Sequence, residues 1–145
     1  RESRRQVTAL LELDGVLLPA GIVDVEVAEP KKTAVVPPRE REVVGKTLRL
    51  GLWTDEALHG VRLNVVETFA RSGGKVIKQR LRMSVENRSE APREVWIEER
   101  LRPGKQPTIT GAPAGQTIVD GIARIKIVVQ AKSTESIAFE VVSQP

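Results

Sequence analysis

The chain has 145 residues, 23 Lys and Arg against 19 Asp and Glu, and a formal net charge of +4. Hydrophobic residues make up 40% and charged residues 29%, enough apolar material for a core and too much for wholesale disorder. With no Cys and a single His, disulfides, zinc fingers, iron–sulfur sites and thiol catalysis are all excluded.

Residues 1–6 are charged and read as a linker, and any targeting segment is expected to have been cut away upstream of Arg1. The longest apolar runs, such as residues 16–20, are far too short to span a bilayer. Beyond that point period-2 alternation dominates. Val7, Ala9, Leu11 and Leu13 alternate over residues 6–14, and Val23, Val25 and Val27 alternate with Asp24 and Glu26. Residues 29–46 carry Pro30, Pro37 and Pro38 among charges and read as irregular. Leu48, Leu50 and Leu52 form the next alternating row. Residues 54–60 suit one helical turn, capped by Thr54 and stopped by Gly60 beside His59.

Residues 61–71 and 75–87 are two long alternating runs around Gly73-Gly74, which reads as a hairpin. Its register can be worked out on paper, because a one-residue slip moves every side chain to the other face. A three-residue loop over residues 72–74 sets Phe69 against Ile77, Val65 against Leu81, Leu63 against Met83 and Val61 against Val85. A two-residue loop at Ser72-Gly73 instead sets Val65 against Arg80 and Leu63 against Arg82. The first choice gathers the apolar residues on one face and is the expected one, with Arg62, Lys78, Arg80 and Arg82 on the wet face.

Residues 87–92 are a polar turn ended by Pro92, leading into a strand over residues 93–102 with Val95, Ile97, Glu99 and Leu101 in phase. Residues 103–117 hold three Pro and three Gly and read as irregular. Ile125, Ile127 and Val129, then Ile137, Phe139 and Val141, supply the closing strands. About eight strands without intervening helices predict an antiparallel all-β sandwich of the immunoglobulin/fibronectin-III type. It is expected as a single domain over residues 1–145, itself a piece of a longer protein.

Three short motifs carry a resemblance: Leu17-Leu18-Pro19-Ala20-Gly21 before a strand, Val65-Val66-Glu67 leading into the hairpin, and Val85-Glu86-Asn87-Arg88 followed by Glu94-Val95-Trp96-Ile97-Glu98-Glu99. Together they resemble the C-terminal β-sandwich domain of the bacterial mucoidy-inhibitor-A-type proteins, a domain-of-unknown-function family. The similarity covers roughly residues 17 to 145, although Leu81 and Met83 stand where the family is richer in Tyr. The resemblance implies a sandwich fold and a bacterial setting, with export to the periplasm or cell exterior as one option. It carries over no catalytic residue.

The search for chemistry returns few candidates. Gly45-Lys46-Thr47 has Glu40, not Gly, five residues before Gly45, so it is no phosphate loop, and there is no G-x-S-x-G elbow. With His59 as the sole imidazole, no His-based metal cluster and no cofactor is implied. Glu67 and Glu99, both in apolar phase, are the candidates for an acid/base pair, against the plainer reading that each has a polar partner. Trp53 and Trp96 fall on the polar phase of their strands, where an exposed indole can stack a sugar or anchor a partner. The basic row Arg62, Lys78, Arg80 and Arg82 is a candidate for phosphate contact, although single-strand readers add more stacking aromatics than this chain contains. Asn87-Arg88-Ser89 matches a glycosylation sequon and equally well a polar turn.

Three readings follow. The first is a non-catalytic sandwich module binding other domains of the same protein or another protein. The second is a carbohydrate- or polyanion-binding module using the Trp residues and the basic row. The third is a carboxylate-dependent hydrolase using Glu67 and Glu99. An exposed edge strand leaves the oligomeric state open.

Overall fold

The structure, a computed structural model, describes residues 1–15, 21–28, 31–71, 73–101, 105–113 and 115–144. Residues 17–20 of the first motif and Ser72 of the expected loop lie outside the described residues. The first strands are β1 (Glu2–Asp14), β2 (Val23–Val27), β3 (Lys32–Val36), β4 (Arg41–Val44) and β5 (Thr47–Arg71). They are followed by β6 (Gly74–Asn87), β7 (Arg93–Arg100), β8 (Lys105–Thr110), β9 (Thr117–Val119), β10 (Ile122–Val129) and β11 (Ser133–Gln144). A 3-10 turn, Pro38–Glu40, precedes β4. The protein is therefore an antiparallel all-β sandwich, with eleven strands among the described residues rather than about eight.

The chain divides into two compact units, residues Gln6–Glu56 and residues Arg1–Arg5 with Ala57–Pro145. In the larger unit, one sheet runs in the order β1-β5-β6-β11-β8 and a second in the order β7-β10-β9. The rows facing inward follow from alternation: Leu81, Met83 and Val85 on β6 lie beside Phe139 and Ile137 on β11. On the second sheet Val95 and Ile97 pair with Ile127 and Ile125. β10 lies against β6 and β11, which closes the two sheets over one apolar interior. Each fully buried aliphatic side chain there contributes roughly 1.5–3 kcal/mol.

In the smaller unit, the β2–β3 hairpin and the start of β5 bury Ala34, Val36, Leu48 and Leu50. Leu11, Leu13 and Val25 pack onto that cluster. Val44 pairs with Thr47 across a two-residue turn whose first residue, Gly45, has φ +60°. Val119 pairs with Ile122 across Asp120-Gly121, with φ of 49° and 73°. Two positive φ values in succession are what a type I′ hairpin turn demands, and Asp-Gly supplies them at low cost.

Four expectations are corrected. Residues 2–6, read as part of a linker, are the first part of β1, held where Arg1 exchanges backbone hydrogen bonds with Asn64 of β5. Residues 54–60, read as a helical turn, continue β5. Ladder pairing there overrides the capping signals, and Gly60 lets β1 come close, since an added Cβ would lie a tight 3.1 Å from the Arg5 carbonyl oxygen on β1. The stretches read as irregular hold β3, β4, β8 and β9. β8 keeps Pro107 because it is an edge strand, where a missing N–H costs no ladder bond, and its pairing with β11 is bulged between Val142 and Gln144.

The fourth correction concerns the β5–β6 register. Phe69 pairs with Val76, Val65 with Arg80 and Leu63 with Arg82, the arrangement of a two-residue loop. Matching apolar residues across the hairpin assumed that both strands bury the same phase against the same core. β6 instead finds its apolar neighbours on β11, on its other side. β5 is then free to turn Leu58, Gly60, Arg62 and Asn64 toward the phase of Val85 and Met83, leaving Val61, Leu63 and Val65 outside.

Candidate functional site

In the larger unit the candidate residues fall in three places, the sandwich interior and the outer face of each sheet, and Trp53 belongs to the smaller unit. Arg62 does not join the basic row: it points into the sandwich, and its guanidinium meets the Glu99 carboxylate of β7 through two hydrogen bonds, Nε to Oε2 at 3.0 Å and Nη2 to Oε1. Their side chains retain 17% and 11% exposure, so the pair is largely desolvated, and a forked guanidinium–carboxylate contact is the geometry that makes such burial tolerable. Glu99 therefore has its charge partner.

Glu67 sits on the opposite face of β5, in the row of Val61 and Leu63, with Arg80 Nη2 3.6 Å from its carboxylate. Its side chain is 43% exposed, which corrects its placement on the apolar side. Alternation separates Glu67 from Arg62 and hence from Glu99, so the two carboxylates are not brought together. Among the described residues no group of three or more His, Asp or Glu is placed to hold a metal ion.

The outer face of the larger sheet combines two rows. On β5 Val61, Leu63 and Val65 are exposed by 36%, 37% and 44%. On β6 Arg82 stands opposite Leu63 and Arg80 opposite Val65. Lys78 Nζ lies 3.1 Å from Glu140 on β11, and Arg80 Nε lies 3.5 Å from the same carboxylate. Arg82 is exposed and has no ion-pair partner among the described residues. Its positive charge is consequently the least compensated of the row. Of the expected wet row only Arg80 and Arg82 are exposed, Lys78 is largely covered and Arg62 lies inside, and the two arginines border an apolar row that was expected inside.

The two indoles differ. Trp53, in the smaller unit, is half-buried against the Ala34–Leu50 cluster, with Lys32 Nζ 4.4 Å from its ring centroid. The polar phase assigned to it is thus covered by the β2–β3 hairpin. Trp96 is 42% exposed on the outer face of the β7–β10–β9 sheet. Arg124 and Lys126 on β10 stand 4.4 and 5.8 Å from its ring centroid. One side of the indole therefore already carries a stacked guanidinium, which competes with any sugar for that surface.

The sequon residue Asn87 is wholly buried. Its Nδ2 donates to the carbonyls of Ala91 (2.9 Å), Val129 (3.0 Å) and Gln130 (3.2 Å). Its Oδ1 accepts from Ser89 N (2.9 Å) and Ser89 Oγ (2.6 Å). One side chain thereby ties the end of β6 to the following turn and to the end of β10. The Asn-x-Ser pattern is explained by this closure, since Ser89 supplies both donors to Oδ1. Nearby, the exposed Glu86 carboxyl is held below the ordinary glutamate pKa by a hydrogen bond from the Arg88 guanidinium, 2.6 Å away.

Sequence reasoning missed the apolar row as a surface feature. The available signal was the long alternating run on β6's far partner, Ile137, Phe139 and Val141, which competes with β5 for β6's apolar phase. No helix among the described residues is long and apolar enough to cross a membrane. Comparison of the chain with protein-family models, with curated proteins and with solved structures finds no match.

Proposed function

We propose that the chain is a non-catalytic interaction module that receives a protein segment on the outer face of its larger sheet. The observation that carries this reading is the exposed row Val61, Leu63 and Val65 beside the uncompensated Arg82. A sheet face turned to solvent is ordinarily polar, and three consecutive outward positions occupied by Val and Leu have no use in an isolated sandwich. The resemblance to the mucoidy-inhibitor-A-type domain agrees with a module of a larger bacterial protein, immunoglobulin-like in architecture. The partner is then another domain of that protein or a second protein.

The test is a photo-cross-linking amino acid placed at position 63, with a control at position 128, in cells making the full-length gene product. Val128 is exposed on the outer face of the other sheet and more open than Leu63, so it is a stringent control. A discrete adduct with one identifiable protein segment is expected from position 63 and not from position 128, and it is expected to weaken with Arg82→Glu. No adduct, or the same adducts from both positions, overturns the reading.

A second reading, polyanion binding, is favoured by Trp96 with Arg124 and Lys126 around it. It requires retention on heparin that falls with salt and falls further with Lys126→Glu. Salt-independent retention, or none, removes it.

A further inference from the structure

We infer that the segment received by the β5 face is an amphipathic helix of two to four turns bearing carboxylates along one edge; this rests on the docking face proposed above. The first argument is backbone satisfaction. β5 is hydrogen-bonded on one side to β1 and on the other to β6, so its outer face offers no free N–H or C=O. A segment lying on that face cannot gain a ladder from it and must satisfy its own backbone, which a helix does and an extended strand does not.

The second argument is dimension. Val61, Leu63 and Val65 occupy alternate positions, so the row spans roughly 13 Å at about 3.3 Å per residue. A helix covers that length in about nine residues at 1.5 Å rise, presenting apolar side chains at i, i+3 or i+4, and i+7. The third argument is charge. On the β6 side the row is bordered by Arg82 and Arg80. On the other side, the Arg1–Asn64 pairing sets Glu2 beside Leu63 and Arg4 beside Val61, a balanced border. Arg80 already shares Glu67 and Glu140, whereas Arg82 has no carboxylate partner among the described residues. A helix with Asp or Glu along the edge over β6 supplies one.

The experiment is selection from a displayed library of helical peptides of about 14 residues, carried out on the full chain. Enriched peptides are expected to share the apolar spacing above, with Asp or Glu flanking it. Their affinity is expected to fall at least tenfold with Leu63→Asp and about fivefold with Arg82→Glu, the latter loss shrinking in high salt. Both positions are exposed, and an unchanged melting temperature in each variant separates lost docking from lost folding. Peptides that need Leu63 but ignore Arg82 overturn the acidic-edge inference while the docking face stands. Peptides indifferent to Leu63, or no enrichment at all, overturn the inference and count against the docking face, for which the cross-link at position 63 remains the separate judge.

Discussion

Replacing Asn87 with Ala removes the amide that joins three carbonyls and two serine donors, and the cost can be worked from its contacts. The bond to the Val129 carbonyl is buried, while those to Ala91 and Gln130 are partly reached by water. A buried polar group left without a partner costs about 1–3 kcal/mol, and each partly solvated hydrogen bond contributes about 0.5–1.5 kcal/mol net. One full penalty and two partial ones give about 2–6 kcal/mol, centred near about 4 kcal/mol. Against a total stability of about 5–15 kcal/mol this is a large share, equal to a fall of about 10 °C in melting temperature at this chain length. Asn87→Asp is the sharper test, since it keeps the shape and the acceptor for Ser89 but loses the donors. Its carboxylate would face three carbonyl oxygens, which pushes its pKa above that of the unfolded chain. The variant is then least impaired at low pH, where the acid is protonated, and loses stability as pH rises through the raised pKa. Urea unfolding of wild type, Asn87→Ala and Asn87→Asp between pH 4 and pH 8 measures all of this. A cost below about 1 kcal/mol for Asn87→Ala, or an Asn87→Asp variant whose deficit does not grow with pH, would refute the account of Asn87 as the closure of this turn.

Three further outcomes are expected. Breaking the Arg62–Glu99 pair with Arg62→Met or Glu99→Met alone should cost toward the lower end of about 3–5 kcal/mol, because both groups keep some solvent. The double variant should cost less than the sum by about 1–3 kcal/mol, as read by a denaturant double-mutant cycle, and strict additivity would contradict the contact. Gly60→Val should loosen β1 from β5, seen as faster amide exchange at Asn64 with slower-exchanging amides in β10 unchanged. Arg88→Ala should raise the Glu86 pKa toward the ordinary glutamate value; since a depressed folded pKa stabilises above the unfolded value, the wild type alone should lose that contribution as pH falls, and an NMR titration of Glu86 reads the shift directly.

The strands with clean alternation were legible in the sequence. Val23–Val27, Arg93–Arg100 and Ile122–Val129 lie where period 2 puts them, because each has one face toward an apolar partner row. β3, β4, β8 and β9 were hidden by Pro and charge, which mark edges and turns as readily as loops. The Asp120-Gly121 pair was a usable hairpin signal for β9 that alternation alone does not supply. The β5–β6 register was misread for a reason that local pairing cannot reveal: which face of β5 is buried depends on β11, which starts 62 residues after β5 ends, and on a charge on β7. For the same reason Arg62 was placed outside and Val61, Leu63 and Val65 inside. Both indoles were read as exposed; Trp96 is, whereas Trp53 is half-buried, since its cover, the β2–β3 hairpin, comes from an earlier part of the chain.

The position of β11 between β6 and β8 bears on how the chain is made. Leu81 meets Phe139 only after the intervening chain has left the ribosome, and until then one flank of β6 has no ladder partner. Such distant pairings are slow to form and leave strand edges open to neighbours in the meantime. A nascent chain of this protein therefore depends, during translation, on whatever shields a bare β6 until Ser133–Gln144 arrives, and clipping that last strand should send the polypeptide to aggregates rather than to a smaller soluble body.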